Sequence, residues 1–444
     1  MALGRKMPAD FTRIPEKADW PDCSNAPPPV RYTLPDGRMT PRKYFVYDTA
    51  HPRVFRMTIR ELDSRGWQRV DKRSLCEAEL VFTNGQRRFG WEKLARHHMP
   101  NHLFEERKVA DKSTLADHLA AVREEGIRTP FWPETYWMRD IVDRATFLRV
   151  LELNGHPQPP FLVKDPTQHR GRGVRFLEDQ DIEKTMDRLA AKTPDQDKHG
   201  HDIVQRYVPN PLLLPPHGRK FDLRVYWFIA STNPVRVYYH DGTTRSSLES
   251  FDPDNMEDMG QHLTNVAVQK QNKELYANSK EELRLSFEQL AEILSDAFPT
   301  HPSPIDDVRA QMRHAIATVF LSDIEQLSET RYTDRAFSLV GGDFIIDDNL
   351  QVWLLEIQEG PVRSTMTQNT LDLWLDMTSE QLDILFEIEE HLNNGGPESV
   401  PRDLSSVRKF QLVVDDNGEV MRPVDDLPVA KQIFFGDGVN NFGA

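Results

Sequence analysis

Residues 337–361 read FSLVGGDFIIDDNLQVWLLEIQEGP, and this stretch decides the fold prediction. Two apolar runs flank a turn signal, which predicts a β-hairpin. Pairing the strands about that turn places Asp343 opposite Glu356 and Ile346 opposite Trp353. Because side chains alternate between the two faces of a strand, the hairpin has one apolar and one polar face. The apolar face is expected to contain Phe344, Ile346, Trp353, Leu355 and Ile357.

The polar face of this hairpin carries Asp343, Glu356 and Gln358. Like charges that lie directly opposite each other on neighbouring strands destabilise the pair. A cation relieves this repulsion, and a ligand set made only of oxygen atoms suits Mg²⁺ bound beside phosphates. The alternative is a solvent-facing hairpin with incidental acidic residues.

A second stretch, KFDLRVYWFIA at residues 220–230, alternates charged and apolar residues. Lys220, Asp222 and Arg224 share one face of the predicted strand, and apolar side chains occupy the other. Three charges of alternating sign on such a strand predict the floor of a cleft that holds an anion. The alternative is an amphipathic edge strand whose charges satisfy one another.

A third stretch, FLVKDPTQHRGRGV at residues 161–174, predicts an apolar strand that ends at Lys164 and then a glycine-rich loop. Glycines let backbone amides approach an anion closely, and flanking cations add charge. The loop matches neither the P-loop nor the dinucleotide-binding pattern, so an ordinary turn is the alternative. The loop contains Arg170, Gly171, Arg172 and Gly173.

Two shorter segments add polar candidates. The sequence HLTN at residues 262–265 includes Thr264 and Asn265, which can position a substrate group but also occur routinely at strand ends. The pair Asp241-Gly242 is a strong hairpin-turn signal. Arg245 follows it, and is a surface arginine unless it points into the same cleft.

Composition narrows the class of protein. The 444 residues suit two or three domains, with 38% hydrophobic and 28% charged residues. No apolar run approaches the ~20 residues of a membrane-spanning helix, and the first ten residues lack the apolar core of a secretory signal. The two cysteines, Cys23 and Cys76, exclude a disulfide scaffold and a cysteine-rich zinc site. They favour a reducing compartment such as the cytosol.

Charge is unevenly distributed along the chain, whose formal net charge is −15. Residues 1–73 contain 15 basic and 9 acidic residues, whereas residues 361–444 contain 6 basic and 15 acidic residues. An acidic body is unlike a general nucleic-acid binder, which neutralises phosphates with basic residues. We therefore expect no nucleic-acid and no membrane partner, but an acidic protein can bind the basic N-terminal region.

Six segments, taken in order, resemble the tubulin tyrosine ligase family, a branch of the ATP-grasp ligases. They are FLVKDPTQHRGRGV, VQRYVPNPLLL, RKFDLRVY, DGTTR, HLTN and GGDFIIDDNLQVWLLEIQEGP. Weaker likeness extends over residues 50–378. The resemblance implies an α/β (α+β) ATP-grasp fold in which mixed or antiparallel sheets enclose a nucleotide cleft. The expected divisions are a proline-rich basic arm (1–43), a small N-terminal α/β domain (44–130), a central subdomain with the phosphate loop (131–204), a C-terminal subdomain with the metal site (205–378) and an acidic tail (379–444).

The resemblance also implies roles for individual residues. It implies ATP contacts from Lys164, Arg170, Gly171, Arg172, Gly173, Gln205, Val208, Thr264 and Asn265. It implies catalytic roles for Lys220, Asp222, Arg224 and Arg245, and Mg²⁺ ligation by Asp343, Glu356 and Gln358.

The implied reaction is ATP-dependent formation of an amide between a free amino acid and a protein carboxylate, through an acyl phosphate. Tubulin is the expected acceptor, and another acidic protein is the alternative. Glutamate is the favoured amino acid, with glycine and tyrosine left open. The expected location is cytoplasmic, with microtubule association as a further option.

Three departures from the family pattern motivate a different reading. Gln358 stands where the family usually has asparagine, and Asp165 separates Lys164 from the proline that follows the lysine directly in the family. The tail is acidic, whereas some relatives carry a basic extension there. The alternative function is therefore a weak or inactive relative that binds tubulin or nucleotide.

Overall fold

The computed structural model describes twelve stretches of the chain, which form three β-sheets and the helices packed on them. These stretches are residues 20–47, 54–85, 89–110, 112–124, 126–138, 140–154, 160–165, 171–177, 203–208, 210–328, 332–361 and 367–419. No helix within them is both long enough and apolar enough to cross a bilayer.

The first sheet is small and parallel, with the strand order β2-β1-β3-β4. Its strands are β1 (Lys43–Tyr47), β2 (Gln68–Arg69), β3 (Leu80–Thr83) and β4 (Met99–Pro100). Helix α1 (Arg56–Ser64) connects β1 to β2, and two 3₁₀ helices (Lys72–Glu77 and Trp91–Lys93) follow. The apolar strands β1 and β3 are buried along most of their length, which makes this sheet the core of the N-terminal part.

A disulfide between Cys23 and Cys76 joins the segment before β1 to the first 3₁₀ helix. Cys23 is buried against Trp20 in an aromatic-rich cluster. This bond is contrary to the reducing compartment that the two cysteines were expected to favour, and two cysteines 53 residues apart carry no pairing signal in the sequence.

The second sheet is antiparallel, with the order β5-β8-β6-β7. Its strands are β5 (Thr135–Trp137), β6 (Phe161–Lys164), β7 (Val174–Phe176) and β8 (Ile203–Arg206). Helices α2 (Arg107–Ala110) and α3 (Lys112–Glu124) precede it, and α4 (Ile141–Asn154) packs on β5. The predicted strand that ends at Lys164 is confirmed as β6.

The third sheet is the largest, with the order β13-β12-β10-β11-β14-β15 and with β9 paired to β10. Its strands are β9 (Leu213–Leu214), β10 (Arg219–Thr232), β11 (Val235–Ser246), β12 (Ser338–Ile346), β13 (Val352–Glu359), β14 (Gln411–Asp415) and β15 (Gly418–Glu419). The helices between β11 and β12 are α5 (Met259–His262), α6 (Val266–Gln269), α7 (Lys273–Ser279), α8 (Phe287–Ala297), α9 (Pro304–Ser322) and α10 (Ile324–Leu327).

Strand β10 lies in the middle of the large sheet, so the edge strand considered from the sequence is wrong. Its side chains alternate as expected. Phe221, Leu223, Val225 and Trp227 enter the core beneath α8 and α9. At the far end of β10 the opposite face also becomes apolar, where Tyr226 and Phe228 pack under the long C-terminal helix.

The predicted hairpin forms as β12 and β13, but its register contains a β-bulge. Asp343 pairs with Glu356 as expected, whereas Ile346 pairs with Val352 and not with Trp353. The bulge leaves Leu355 as the extra residue, which shifts the alternation by one position. The predicted apolar face is therefore wrong in part. Trp353 and Leu355 are only half-buried, and the buried set is Phe344, Ile346, Val352, Leu354 and Ile357.

The hairpin turn expected at Asp241-Gly242 is also wrong, because both residues lie inside β11. The chain reverses at Asn233-Pro234 instead. Gly242 occupies a bulge opposite β10, where a Cβ atom would lie 1.6 Å from the Arg224 carbonyl oxygen. Glycine is required there by the close approach of two backbones rather than by a turn.

The chain after residue 367 is more ordered than its sequence suggested. Helix α11 (Gln368–Gly395) begins at a Thr367 capping box. A 3₁₀ helix (Pro397–Ser399) follows, and β14 then pairs with β11. The segment expected from the sequence to be an acidic tail (379–444) therefore contains two strands, β14 and β15, which extend the large sheet. The mixed α/β class is confirmed, while the proposed domain limits stay predictions.

Candidate active site

An open cleft of about 950 Å³ lies between the second sheet and the large sheet. The second sheet contributes Lys164 and Gln205, and the large sheet contributes Lys220 and two acidic strands. Most predicted site residues line this one cleft, although they come from segments up to 192 residues apart in the sequence. Those residues are Lys164, Gly171, Arg172, Gln205, Val208, Lys220, Asp222, Arg245, Thr264, Asn265, Asp343 and Glu356.

The floor of the cleft is a network of two arginines and two aspartates. Arg224 on β10 makes two hydrogen bonds to Asp343 on β12, one of them 2.9 Å long. Arg245 on β11 donates to Asp222 at 2.6 and 2.8 Å and contacts Asp343 at 2.6 Å. All four residues are buried. Burial alone would raise the pKa of Asp343, but the two guanidinium groups hold that pKa well below its usual range.

The acidic pair predicted on the hairpin is present, and each carboxylate has a cation. Asp343 and Glu356 lie opposite each other on β12 and β13. Lys112 at the start of α3 lies 3.1 Å from Glu356, and the Gln358 amide donates a hydrogen bond to the same carboxylate. Sequence reasoning missed Lys112, because no local motif surrounds it and only the fold brings it to β13.

The glycine-rich loop borders the same cleft. Gly171 has φ of +76°, and a Cβ atom there would lie 2.9 Å from the Asn265 side-chain oxygen, so the loop packs closely on that residue. Arg172 lines the cleft beside it. Gly173 accepts a hydrogen bond from the Asp165 amide at 2.9 Å, which closes the base of the loop. Arg170 lies outside the described residues.

Lys164 projects from the end of β6 and donates a hydrogen bond to Gln205 on the neighbouring strand β8. Gln205 in turn donates to the Thr135 hydroxyl at 2.8 Å. Burial lowers the pKa of Lys164 to about 8. A desolvated ammonium that has an amide as its near partner is well suited to receive an anion.

Lys220 is held by two further side chains that sequence reasoning did not select. Its ammonium donates to the Tyr207 hydroxyl at 2.6 Å, and that hydroxyl lies 2.8 Å from His262 Nδ1. His262 Nε2 lies 3.0 Å from the Asn255 carbonyl oxygen, so this nitrogen carries the proton and Nδ1 accepts from Tyr207. Burial lowers the pKa of Lys220 to about 7.

The remaining predicted residues lie at the margin of the cleft. Thr264 donates a hydrogen bond to Asp222, which ties the HLTN segment to the floor. Arg224 lies beneath the lining, where it holds Asp343. Gln358 lies beside Glu356. The structure thus brings the predicted set together, while the role of each residue stays a prediction.

A buried histidine supports the far end of β13. His102 pairs with Glu106 through Nδ1 and lies 3.1 Å from the Thr83 carbonyl oxygen through Nε2. With Glu359 these two residues form a group of three histidine and carboxylate side chains whose potential ligand atoms lie within 4.8 Å of one another. Because both ring nitrogens of His102 are already hydrogen-bonded, the cluster is a structural ion pair.

Comparison with known proteins identifies the family. The sequence profile of the tubulin-tyrosine ligase family matches residues 92–394. The chain belongs to this family. That range includes every predicted site residue, together with Lys112, Tyr207 and His262.

Several curated relatives are similar to the chain over most of its length. It is 32% identical to the inactive polyglycylase TTLL10 of Homo sapiens over 65% of this chain and 42% of the relative. It is 28% identical to the protein polyglycylase TTLL10 of Mus musculus over 82% of this chain and 55% of the relative. It is 24% identical to the probable tubulin polyglutamylase TTLL9 of Bos taurus over 70% of this chain and 72% of the relative. The chain spans about half the length of the TTLL10 relatives that it matches.

Proposed function

We propose that the chain is an ATP- and Mg²⁺-dependent ligase that joins a free amino acid to a carboxylate of an acceptor protein, with tubulin as the acceptor. The observation that carries the proposal is the cleft floor, where Arg224, Arg245, Asp222 and Asp343 form one buried network beside Lys164. Family membership and the names of the relatives support the same reaction class.

The nucleotide is proposed to bind along the second sheet. Lys164 and Lys220 approach the cleft from opposite sheets, and both ammonium groups are available to phosphate oxygens. Gln205 and Val208 line the same cleft, and the Gln205 amide and the backbone at Val208 are proposed to form hydrogen bonds with the adenine base. Gly171 and Arg172 border the phosphates in this arrangement, which suits a loop that covers them.

The donor set on β12 and β13 fits a magnesium ion. Asp343 and Glu356 supply carboxylate oxygens from directly opposed positions, and Gln358 supplies an amide oxygen from the same strand as Glu356. Such hard oxygen donors are the ligands that Mg²⁺ prefers beside phosphates. When bound, the ion neutralises charge on the phosphate groups. Lys112, now 3.1 Å from Glu356, then becomes available to an anion.

The proposed chemistry has two steps. An oxygen of the acceptor carboxylate attacks the terminal phosphorus of ATP, ADP leaves, and an acyl phosphate forms. The amine of the free amino acid then attacks the acyl carbon, phosphate leaves, and the nitrogen loses a proton to give the amide. Arg224 and Arg245 hold positive charge where the transferring phosphoryl group passes, and positioned cations of this kind supply most of such catalysis.

Glutamate and glycine are the two amino acids that the relatives' names support, and tyrosine is the third candidate. The polyglutamylase relatives favour glutamate, and the TTLL10 relatives favour glycine. We keep glutamate as the first choice, because two separate groups of relatives carry that name.

A second candidate function is binding of tubulin or nucleotide without turnover. Three observations favour it. Gln358 directs its amide nitrogen at Glu356 and so occupies one of the carboxylate oxygens, and the human TTLL10 relative carries the name of an inactive enzyme. Asp165, at the base of the loop beside Lys164, places a carboxylate near the phosphate site.

ADP formation separates the two candidates. An active ligase is expected to release ADP over many turnovers only when both tubulin and an amino acid are present, because without the amino acid the reaction stops at the acyl phosphate, and Glu356→Gln is expected to abolish this release. Asp348→Asn is the matched control, because Asp348 is an exposed acid in the turn between β12 and β13. ATP binding without acceptor-dependent ADP release in the wild-type chain contradicts the ligase.

A further inference from the structure

A short segment extends the large sheet beyond β11 on the side of the cleft floor. The Thr244 amide donates to the Leu285 carbonyl at 3.0 Å, and the Ser246 amide donates to the Leu283 carbonyl at 3.2 Å. A bridge between Thr243 and Ser286 continues the same antiparallel register. In this register Arg284 lies opposite Arg245, at a position where neighbouring side chains are close together.

Two arginines in this position repel each other, and only one of them has a counterion. Arg245 makes ion pairs with Asp222 and Asp343. No hydrogen bond or ion pair is formed by the Arg284 guanidinium with any described residue, although the side chain is half-buried. Burial and then the positive charge of Arg245 lower the pKa of Arg284 to about 10.

The absence of a partner is not caused by a shortage of carboxylates nearby. Glu282 lies two residues earlier and pairs with Arg219 at 3.3 Å. Glu281 accepts a hydrogen bond from the Gln368 amide at 3.2 Å. Arg309 on α9 is paired as well, since it contacts Asp241 at 2.6 Å. Arg284 is thus a desolvated cation that makes no ion pair with a described residue; the Asp222 carboxylate attracts it but is bound to Arg245.

The backbone of the segment fixes Arg284 in place. Its own carbonyl accepts a hydrogen bond from the Asn369 side chain at 2.7 Å, and the Leu285 amide donates to the Thr244 hydroxyl at 2.9 Å. Ser286 then starts α8 with a capping box. A charged side chain on a backbone anchored at both sides is preorganised, which lowers the cost of ordering it when a ligand binds.

The location of Arg284 favours a carboxylate, rather than a nucleotide phosphate, as the anion that it binds. Lys164, Gln205 and Val208 line the cleft, whereas Arg284 lies outside its lining, on the segment that pairs with the edge of β11. The Arg284 guanidinium interacts with Arg245 and Asp222 at the edge of the floor, and with Tyr226 and Tyr276. A guanidinium fork binds a planar carboxylate through two parallel hydrogen bonds.

We propose that Arg284 binds a substrate carboxylate, from either the free amino acid or an acidic side chain of the acceptor. This inference rests on the proposed function, because both candidate ligands are substrates of that reaction. The bound carboxylate neutralises the second arginine of the pair, so that Arg245 and Arg284 no longer repel each other. Arg284 is in this account a substrate-binding residue placed on the side of the floor away from the nucleotide.

The test compares Arg284→Gln and Arg284→Lys with Arg149→Gln as the matched control, since Arg149 is an exposed arginine on α4. The assay measures KM for the amino acid and for tubulin at saturating ATP, and calorimetry measures ATP affinity. Arg284→Gln is expected to raise one of the two KM values at least tenfold and to leave ATP affinity within twofold. Arg284→Lys is expected to recover part of the loss. A raised KM for the amino acid shows that Arg284 binds the carboxylate of the free amino acid, and a raised KM for tubulin shows that it binds an acidic side chain of the acceptor.

Two further measurements distinguish substrate binding by Arg284 from a purely structural role, and one of them does not require the chain to be catalytically active. Arg284→Gln is expected to keep or raise the melting temperature, because it removes a repulsive charge, whereas a structural arginine would lower it. Direct calorimetric titration uses glutamate and hexaglutamate as probes. Weaker binding of one probe by at least tenfold supports the inference even if the wild-type chain ligates nothing, in which case only the proposed function fails. Unchanged KM values in an active enzyme, or unchanged probe binding in an inactive one, overturn the inference.

Discussion

Arg224 and Asp343 lie directly opposite each other on neighbouring antiparallel strands and are joined by two hydrogen bonds. Both side chains are buried, and Arg245 reaches the same carboxylate from the strand on the other side of β10. A network of this kind is costly to desolvate, and it contributes little to stability compared with an apolar core. We therefore propose that this network lies on the floor of the cleft to act on an anionic substrate.

Replacing Arg224 tests that explanation. Arg224→Gln is expected to lower kcat of the ligase by about 10²–10³-fold, because a positioned cation is lost where charge develops. It is also expected to lower the free energy of unfolding by about 3 kcal/mol, since Asp343 keeps only Arg245 as a counterion. Steady-state kinetics and chemical denaturation measure the two effects. An Arg224→Gln enzyme with full activity would remove Arg224 from the mechanism.

ATP binding is expected to be pH-dependent through Lys220 and Lys164. In the free protein their pKa values are lowered to about 7 and about 8, so both lysines lose protons as the pH rises through that range. Bound phosphates favour the charged forms, so binding takes up protons and weakens as the pH rises. At pH 8 we expect about 1.4 protons taken up per ATP, most of them by Lys220, and close to none at pH 6.

Calorimetry in buffers of different ionisation enthalpy measures this proton uptake. Lys220→Met is expected to remove most of the uptake at pH 8, because Lys220 is the more strongly shifted of the two lysines. Proton release on binding, or affinity that does not change between pH 6 and pH 9, would contradict the assignment of these lysines to the phosphates.

Gly242 is expected to tolerate no side chain. A Cβ atom at this position would lie 1.6 Å from the Arg224 carbonyl oxygen, so β10 and β11 must separate to admit it. Gly242→Ala is expected to lower the free energy of unfolding by about 3 kcal/mol, in the range of severe overpacking. Chemical denaturation measures the change. Gly85→Ala is the matched control, because a Cβ atom there contacts nothing, and equal stability of the two variants would be the contrary result.

Much of the candidate site could be predicted from the sequence, because its charged residues occupy alternating positions within individual strands. Alternation placed Lys220, Asp222 and Arg224 on one face, which needs only the period of a strand. The predicted pairing of Asp343 with Glu356 is also confirmed, but the register nearer the turn differs from the prediction by one residue and the bulge at Leu355 compensates for it.

The errors arise where tertiary contacts override local signals. Asp241-Gly242 has the composition of a turn, but the glycine is there because the Arg224 carbonyl approaches it. The bulge at Leu355 has no sequence signature, since one extra residue in a strand leaves the apolar pattern nearly intact. Lys112 reached the site from a separate helix, which no pattern in one segment can reveal.

The most direct test of the account is the mass of tubulin itself. The purified chain is incubated with tubulin, ATP and Mg²⁺, and with glutamate, glycine or tyrosine in parallel, and the intact masses of the tubulin subunits are recorded. The account predicts an ATP-dependent mass increase with one of the three amino acids, in steps of that residue, with glutamate as the first choice. No mass increase with any of them, while ATP still raises the melting temperature of the chain, would contradict tubulin ligation and favour the nucleotide-binding alternative.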